Sequence, residues 1–150
     1  MSVLFLDTSA LGRRYLPETG SAWVSTSIAP AAGNIVVVSD LVSVELPSAF
    51  ARLQREGTLH PSDATTLENN LLFHLEREYL PVPLDAPVLA TARMLVGKYP
   101  LRTLDAVQLS CALWAVALLK EPMTFVCADN RLLSAAAGEG FATDNPLIHP

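Results

Sequence analysis

The sequence predicts an α/β fold built on a mostly parallel central sheet with helices on both faces. Three observations carry that expectation. The continuously apolar run at residues 3–6, the β-branched run at 35–38 and the mostly apolar segment 124–128 mark strands buried on both faces, as parallel sheets require, rather than half-solvated alternating ones. Longer stretches of helical periodicity lie between them, and strands alternating with helices are the pattern of repeated βα units. No internal repeat, low-complexity tract or linker-like stretch divides the 150 residues, so 1–150 reads as a single domain.

Taken in order, the run VLFL at 3–6 opens the chain as a strand. A helical segment over 9–15 is broken by Pro17, and a second helix follows over 20–28. Residues 35–38, Ile-Val-Val-Val, are β-branched throughout and make the clearest strand. Ser39 and Asp40 are placed to cap a helix that runs to Glu56 and stops at Gly57. Pro47 inside it either kinks that helix or marks where a second one begins. Pro61-Ser62-Asp63 opens a long amphipathic helix ending near Tyr79. Residues 80–84 form a weaker strand suited to a sheet edge, because Pro81 and Pro83 cannot donate to a ladder. A helix over 86–98 keeps Val88, Ala92 and Leu95 on one face. Thr103 is placed to cap an apolar helix reaching Leu119, after which 124–128 forms a buried strand and 131–137 a short helix.

Composition removes several function classes. At 51% hydrophobic and 17% charged residues the chain is too apolar for a disordered protein. Cys111 and Cys127, the two cysteines, lie in apolar stretches and form no CxxC knuckle, which fits free thiols in a reducing cytoplasm. The N-terminus has no basic segment and too short an apolar run for a signal peptide. The longest apolar stretch, 106–119, is interrupted by Gln108 and Ser110 and falls short of the roughly 20 residues that span a bilayer. A soluble cytoplasmic protein with no membrane partner is the expectation. His60, His74 and His149 form no HExxH pair, and neither a P-loop, a GxGxxG motif nor a Ser-His-Asp arrangement can be assembled. A net charge of −5 and a pI near 5.0 speak, at first sight, against nucleic acid.

Four acidic residues do not fit a solvated helix face. Asp7 directly follows the first strand and Asp129 the last strong one, and carboxyl ends of parallel strands line ligand crevices where strand order reverses. Asp105 lies in the first turn of a nearly all-apolar helix, where it either complements the helix dipole or faces the same crevice. Glu45 sits among Leu41, Val42, Val44, Leu46 and Phe50, and is either surface-facing or drawn inward. Four carboxylates converging in one cleft would repel one another unless a cation neutralised them. Hard oxygen donors without His or Cys suit Mg²⁺ or Mn²⁺, and the matching chemistry is phosphodiester hydrolysis.

The segments VLFLDTSAL, LVSVELPSA, LRTLDAVQLSCAL and FVCADNRLLSAA resemble, in order and spacing, the four acidic motifs of PIN-domain proteins, and most of all the VapC-type ribonuclease toxins. The likeness extends to a closing Asp144-Asn145-Pro146. It implies a PIN-like three-layer α/β/α sandwich and a metal-dependent endoribonuclease acting on RNA, held in check by a cognate antitoxin whose C-terminal segment covers the active site. By the same resemblance Asp7, Glu45, Asp105 and Asp129 would bind Mg²⁺ or Mn²⁺, with Thr8 and Ser9 beside the first acid, Thr103 holding the helix start, and Asn145 at the rim. A homodimer is implied too, with the N-terminal helices and the helix over 62–79 as contact surfaces. Two departures stand out: Gln108 occupies a place where many relatives have His, and Pro47 follows Glu45 closely enough to affect its aim.

Arg13, Arg14, Arg102 and Arg131 each lie near an acidic motif, so they either rim the cleft and contact RNA phosphates or pair with nearby acids. Tyr15, Leu16 and Trp23 either form a partner patch or pack in the core. Two rivals remain: phosphoryl transfer through Asp7 as nucleophile, which normally needs a second Asp where Ser9 stands, and an inert PIN-like module that only binds RNA or a partner. With four of the fifteen acids assigned to a metal, eleven remain against ten basic residues, so the acidic balance ceases to exclude RNA.

Overall fold

A computed structural model describes all residues, 1–150. Five strands form one wholly parallel sheet: β1 (Val3–Leu6), β2 (Ile35–Ser39), β3 (Tyr79–Val82), β4 (Met123–Val126) and β5 (Ala142–Asp144), in the spatial order β3-β2-β1-β4-β5. Seven helices cover it: α1 (Thr8–Leu11), α2 (Ser21–Ile28), α3 (Val42–Arg55), α4 (Pro61–Arg77), α5 (Ala86–Lys98), α6 (Thr103–Leu119) and α7 (Asn130–Gly138).

The three layers follow from strand alternation, since successive side chains point to opposite faces. Phe5 and Val37 join one buried cluster, with Val88, Ala92 and Leu95 of α5, the buried stripe of α6 and Leu132 and Ala135 of α7. Leu6, Val36 and Val38 point the other way, into a second cluster with Leu11, Val24, Leu46, Phe50 and Leu71. Phe5 and Phe125 are register partners on adjacent strands, and their rings stack at 5.2 Å.

The order of strands places the site. The chain runs outward from β1 through β2 to the edge strand β3, then returns to the other side of β1 with β4. Order therefore reverses between β1 and β4, and a crevice opens at their carboxyl ends. Asp7 and Asp129 follow those two strands.

Several local expectations need correction. The segment at 9–15 is a single α-turn, α1, followed by a 3₁₀ turn over Gly12–Arg14. The helix α3 is one helix through Pro47, because the proline removes a donor only to the Ser43 carbonyl, a single turn from the helix start. Asp40 does not cap α3. Leu41 is its N-cap and has no side-chain bond, while the Ser39 hydroxyl accepts from the Leu41 N–H at 3.1 Å. Thr103 is likewise inside α6 rather than its cap, a place taken by the extended backbone of Arg102. The α4 helix stops at Arg77 because Tyr79 begins β3, which is indeed an edge strand. The strand β5 was not anticipated: it is three residues, Ala-Thr-Asp, without an apolar side chain larger than a methyl.

The C-terminal 3₁₀ turn, Pro146–Ile148, folds back on α2. Gly20 has φ of 88°, and a Cβ there would stand 2.3 Å from the Pro146 carbonyl oxygen, so only glycine admits the closure. Trp23 stacks on His149 at 4.2 Å, and Tyr15 is buried, so these residues pack within the molecule. No helix is long and apolar enough to cross a membrane.

Candidate active site

The end of β1 carries a buried carboxylate. Asp7 caps α1, with Oδ1 accepting from the Ser9 hydroxyl at 2.7 Å and the Ala10 N–H at 3.0 Å. Its Oδ2 accepts from the Cys127 thiol at 3.3 Å. Burial pushes the Asp7 carboxyl up to about 6, and the charge of Asp105 pushes the same way, against the three donors. Burial also pushes the Cys127 thiol up, reinforced by Asp7, so the sulfur stays protonated and acts as a donor.

Glu45 is drawn inward. The Thr8 hydroxyl donates to its Oε1 at 2.6 Å, and the Gln108 amide donates both to that oxygen at 3.1 Å and to the Thr8 hydroxyl at 3.0 Å. Gln108 is buried, and its own Oε1 has no partner. It lies one turn along α6 from Asp105, so both side chains present the same helix face. Together Asp7, Thr8, Ser9, Glu45, Asp105 and Gln108, with Leu104, line a cleft of about 270 Å³. Larger hollows elsewhere lack convergent acids; the one at the amino-terminal edge of the sheet, about 390 Å³, has only Glu121.

Asp129 stands beside this cleft rather than in its lining. Its Oδ1 caps α7 by accepting from the N–H groups of Arg131 at 2.8 Å and Leu132 at 3.3 Å. Cys127 lies between it and Asp7, accepting from the Asp129 N–H at 3.2 Å. The Asp105 carboxyl is pushed up by burial; Arg102 pulls it down and Asp129 pushes it up.

The four carboxylates do not meet at one point. No three acidic, imidazole or thiol side chains form a ready ligand cluster. The donors are instead spread around one opening. That arrangement suits a Mg²⁺ or Mn²⁺ ion, which keeps several waters and takes only a few carboxylates. The donor chemistry fits as well: carboxylates and hydroxyls line the one opening, and the buried Asp7 has no cationic partner within ion-pair distance.

Other expected site residues lie elsewhere. Arg13 is buried and donates to the Ser9 and Thr19 carbonyls while pairing with Glu18, so it braces the loop from inside and does not face substrate. Arg14 is turned away into Glu78 and the Tyr79 hydroxyl at 2.7 and 2.8 Å. The 3₁₀ turn that holds both residues explains this, because it rotates each side chain about 120° from the last. Arg102 and Arg131 remain at the cleft mouth, both exposed. Thr103 is exposed and borders the hollow between α5 and α6 with Leu89 and Val107. Asn145 caps the C-terminal turn through the Leu147 N–H and donates to Asn130, which ties the tail to α7. Sequence reasoning gave no role to Cys127, although its place two residues before Asp129 was a signal, and saw Gln108 only as a departure from relatives.

The molecule is a parallel α/β sandwich with acidic groups around its topological switch point, where ligands of such sheets bind. The chain belongs to the PIN-domain family, whose model matches residues 4–138. It is 33% identical over 147 residues to Ribonuclease VapC47 of Mycobacterium tuberculosis (strain CDC 1551 / Oshkosh), covering 96% of this chain and 97% of that protein. Its fold is similar to that of FitAcB from Neisseria gonorrhoeae, with a TM-score of 0.60, 21% identity, and coverage of 95% of this chain and 97% of that one. VapBC2 from Rickettsia felis bound to a DNA fragment from their promoter matches with a TM-score of 0.64, 13% identity, and coverage of 95% and 98%. A toxin-antitoxin complex from Klebsiella pneumoniae matches with a TM-score of 0.59, 14% identity, and coverage of 97% and 98%.

Proposed function

We propose that this chain is a Mg²⁺- or Mn²⁺-dependent endoribonuclease, the toxin of a toxin–antitoxin pair. The observation that carries the reading is the cleft at the end of β1, which Asp7, Glu45 and Asp105 line together with Asp129 alongside. The near full-length likeness to a protein named as a ribonuclease supports the reaction, and solved relatives named as toxin–antitoxin complexes support the partner. A bound divalent ion would polarise the scissile phosphate, acidify a water and neutralise the leaving oxygen.

The chain's own residues do the rest. Asp7, Glu45, Asp105 and Asp129 would supply the negative charge that holds the ion. Thr8 and Gln108 fix Glu45, Ser9 and Cys127 fix Asp7, and Arg102 and Arg131 at the mouth would meet RNA phosphates. A single domain, a homodimer, and a cytoplasmic setting suited to two buried free thiols belong to the same reading. The aspartyl-nucleophile alternative loses ground because Ser9 stands where such chemistry normally needs a second Asp, and its hydroxyl is spent on Asp7 itself. An inert binding module loses ground because all four acids surround the opening.

The direct test is cleavage of a labelled structured RNA by the purified protein with Mg²⁺, with excess EDTA, and with Mn²⁺ restored. Cutting should stop in EDTA and return with Mn²⁺; cutting that continues in EDTA sinks the metal-dependent reading. Gln108→Leu tests the support of Glu45. Loss of two hydrogen bonds is offset by removal of the unpaired Oε1, so melting should hardly move. Cleavage should fall about tenfold as Glu45 loosens. An unchanged rate would show that Thr8 alone suffices.

A further inference from the structure

Arg102 occupies an unusual position at the cleft mouth. It precedes α6 with an extended backbone, and its side chain is 77% exposed. Its Nε lies 3.4 Å from Asp105 Oδ2, and its Nη2 lies 3.5 Å from Asp129 Oδ2. Those two acids belong to different elements, the first turn of α6 and the cap of α7. One guanidinium therefore straps the two sides of the mouth together. Arg131 carries the same charge nearby but forms no ion pair.

We infer that Arg102 is the resident counter-ion of this cleft, and that a divalent cation must displace it from Asp105 and Asp129 in order to bind. The inference rests on the cation-dependent reading above. The chemistry is suited to exchange. A guanidinium is planar, weakly hydrated and forked, so it can face two carboxylates at once. Exposed to water, it holds each of them weakly and is released at small cost. The two acids need it, because like charges at one mouth repel and the single guanidinium lies against a carboxylate oxygen of each. A double charge at the mouth does the same work better, and the displaced guanidinium is left at the rim without a partner, where a substrate phosphate can take it.

The test measures Mn²⁺ affinity without RNA, from the electron paramagnetic resonance signal of free Mn²⁺, for the parent chain, Arg102→Gln and Arg131→Gln. Both variants remove one positive charge, and only the first removes the strap. Arg102→Gln should bind Mn²⁺ about fivefold tighter than the parent, the size expected of two exposed ion pairs, with Arg131→Gln much closer to the parent. Equal changes in both variants, or weaker binding by Arg102→Gln, would overturn the inference and leave the nuclease reading standing. A parent chain that binds no Mn²⁺ would overturn both. A second readout separates the two roles of the arginine: at saturating Mn²⁺, Arg102→Gln should raise KM for RNA although it binds the metal more tightly.

Discussion

Asp7→Asn is expected to abolish RNA cleavage while making the protein more stable at neutral pH. The loss of activity should reach on the order of 10³-fold or more, as for removal of a group on which a catalytic unit depends. The gain in stability has a separate cause. Asp7 is buried, and its carboxyl is pushed from 3.8 to about 6, chiefly by desolvation. A raised carboxyl contributes stability that is fully present below its unfolded value and is lost as pH rises through the folded one. Above about pH 7 the ionised group therefore costs on the order of 3 kcal/mol relative to its protonated form.

Asparagine carries no charge at any of these pH values. Its amide oxygen can keep the bonds from the Ser9 hydroxyl and the Ala10 N–H, and its amide nitrogen faces the Cys127 sulfur, a weak acceptor. Most of the penalty is thus relieved, and melting in EDTA should rise by about 6 °C, the equivalent of about 2 kcal/mol in a chain of this size. The parent should also melt higher at about pH 5 than at about pH 7.5, and the variant should lose this difference. Equal melting of parent and variant at both values would show the Asp7 charge to be compensated already. Undiminished cleavage would remove Asp7 from the machinery.

What could be seen in the sequence was what local physics dictates. The strands β1, β2 and β4 announced themselves because burial on both faces leaves them almost wholly apolar, with only Ser39 and Thr124 as polar members, and their alternation with helices set the parallel class. Asp7 and Asp129 were legible because a carboxylate ending such a strand must lie at the mouth of the sheet. Asp40 and Thr103 show the limit of the same reasoning. A polar residue before a helix is only one of several ways to begin it, and the backbones at Leu41 and Arg102 start α3 and α6 without any side-chain cap. Arg13 and Arg14 failed for a geometric reason, since proximity in sequence to Asp7 says nothing of direction within a 3₁₀ turn. Glu45 stood out in its apolar segment but its direction was left open, and Gln108 and Cys127 were given no place in the site. Their bonds to Thr8 and Asp7 span separations of 37, 100 and 120 residues, so only the closed sheet brings them together.

Asp129 carries two duties that a pair of variants should separate. Its Oδ1 caps α7, and its Oδ2 supplies charge to the cleft mouth, facing Arg102 at 3.5 Å. Asparagine caps a helix nearly as well as aspartate, whereas alanine leaves the Arg131 and Leu132 N–H groups unmet. Asp129→Ala should therefore lose about 1 kcal/mol of stability and Asp129→Asn only a few tenths. On the proposed function cleavage needs that charge, so both variants should fall by about 100-fold or more at subsaturating Mg²⁺. The comparison is decisive because the two duties lie on different oxygens of one side chain. If Asp129→Asn cuts RNA at the parental rate while Asp129→Ala does not, the residue serves the site only by starting α7, and the negative charge of the cleft resides in Asp7, Glu45 and Asp105 alone.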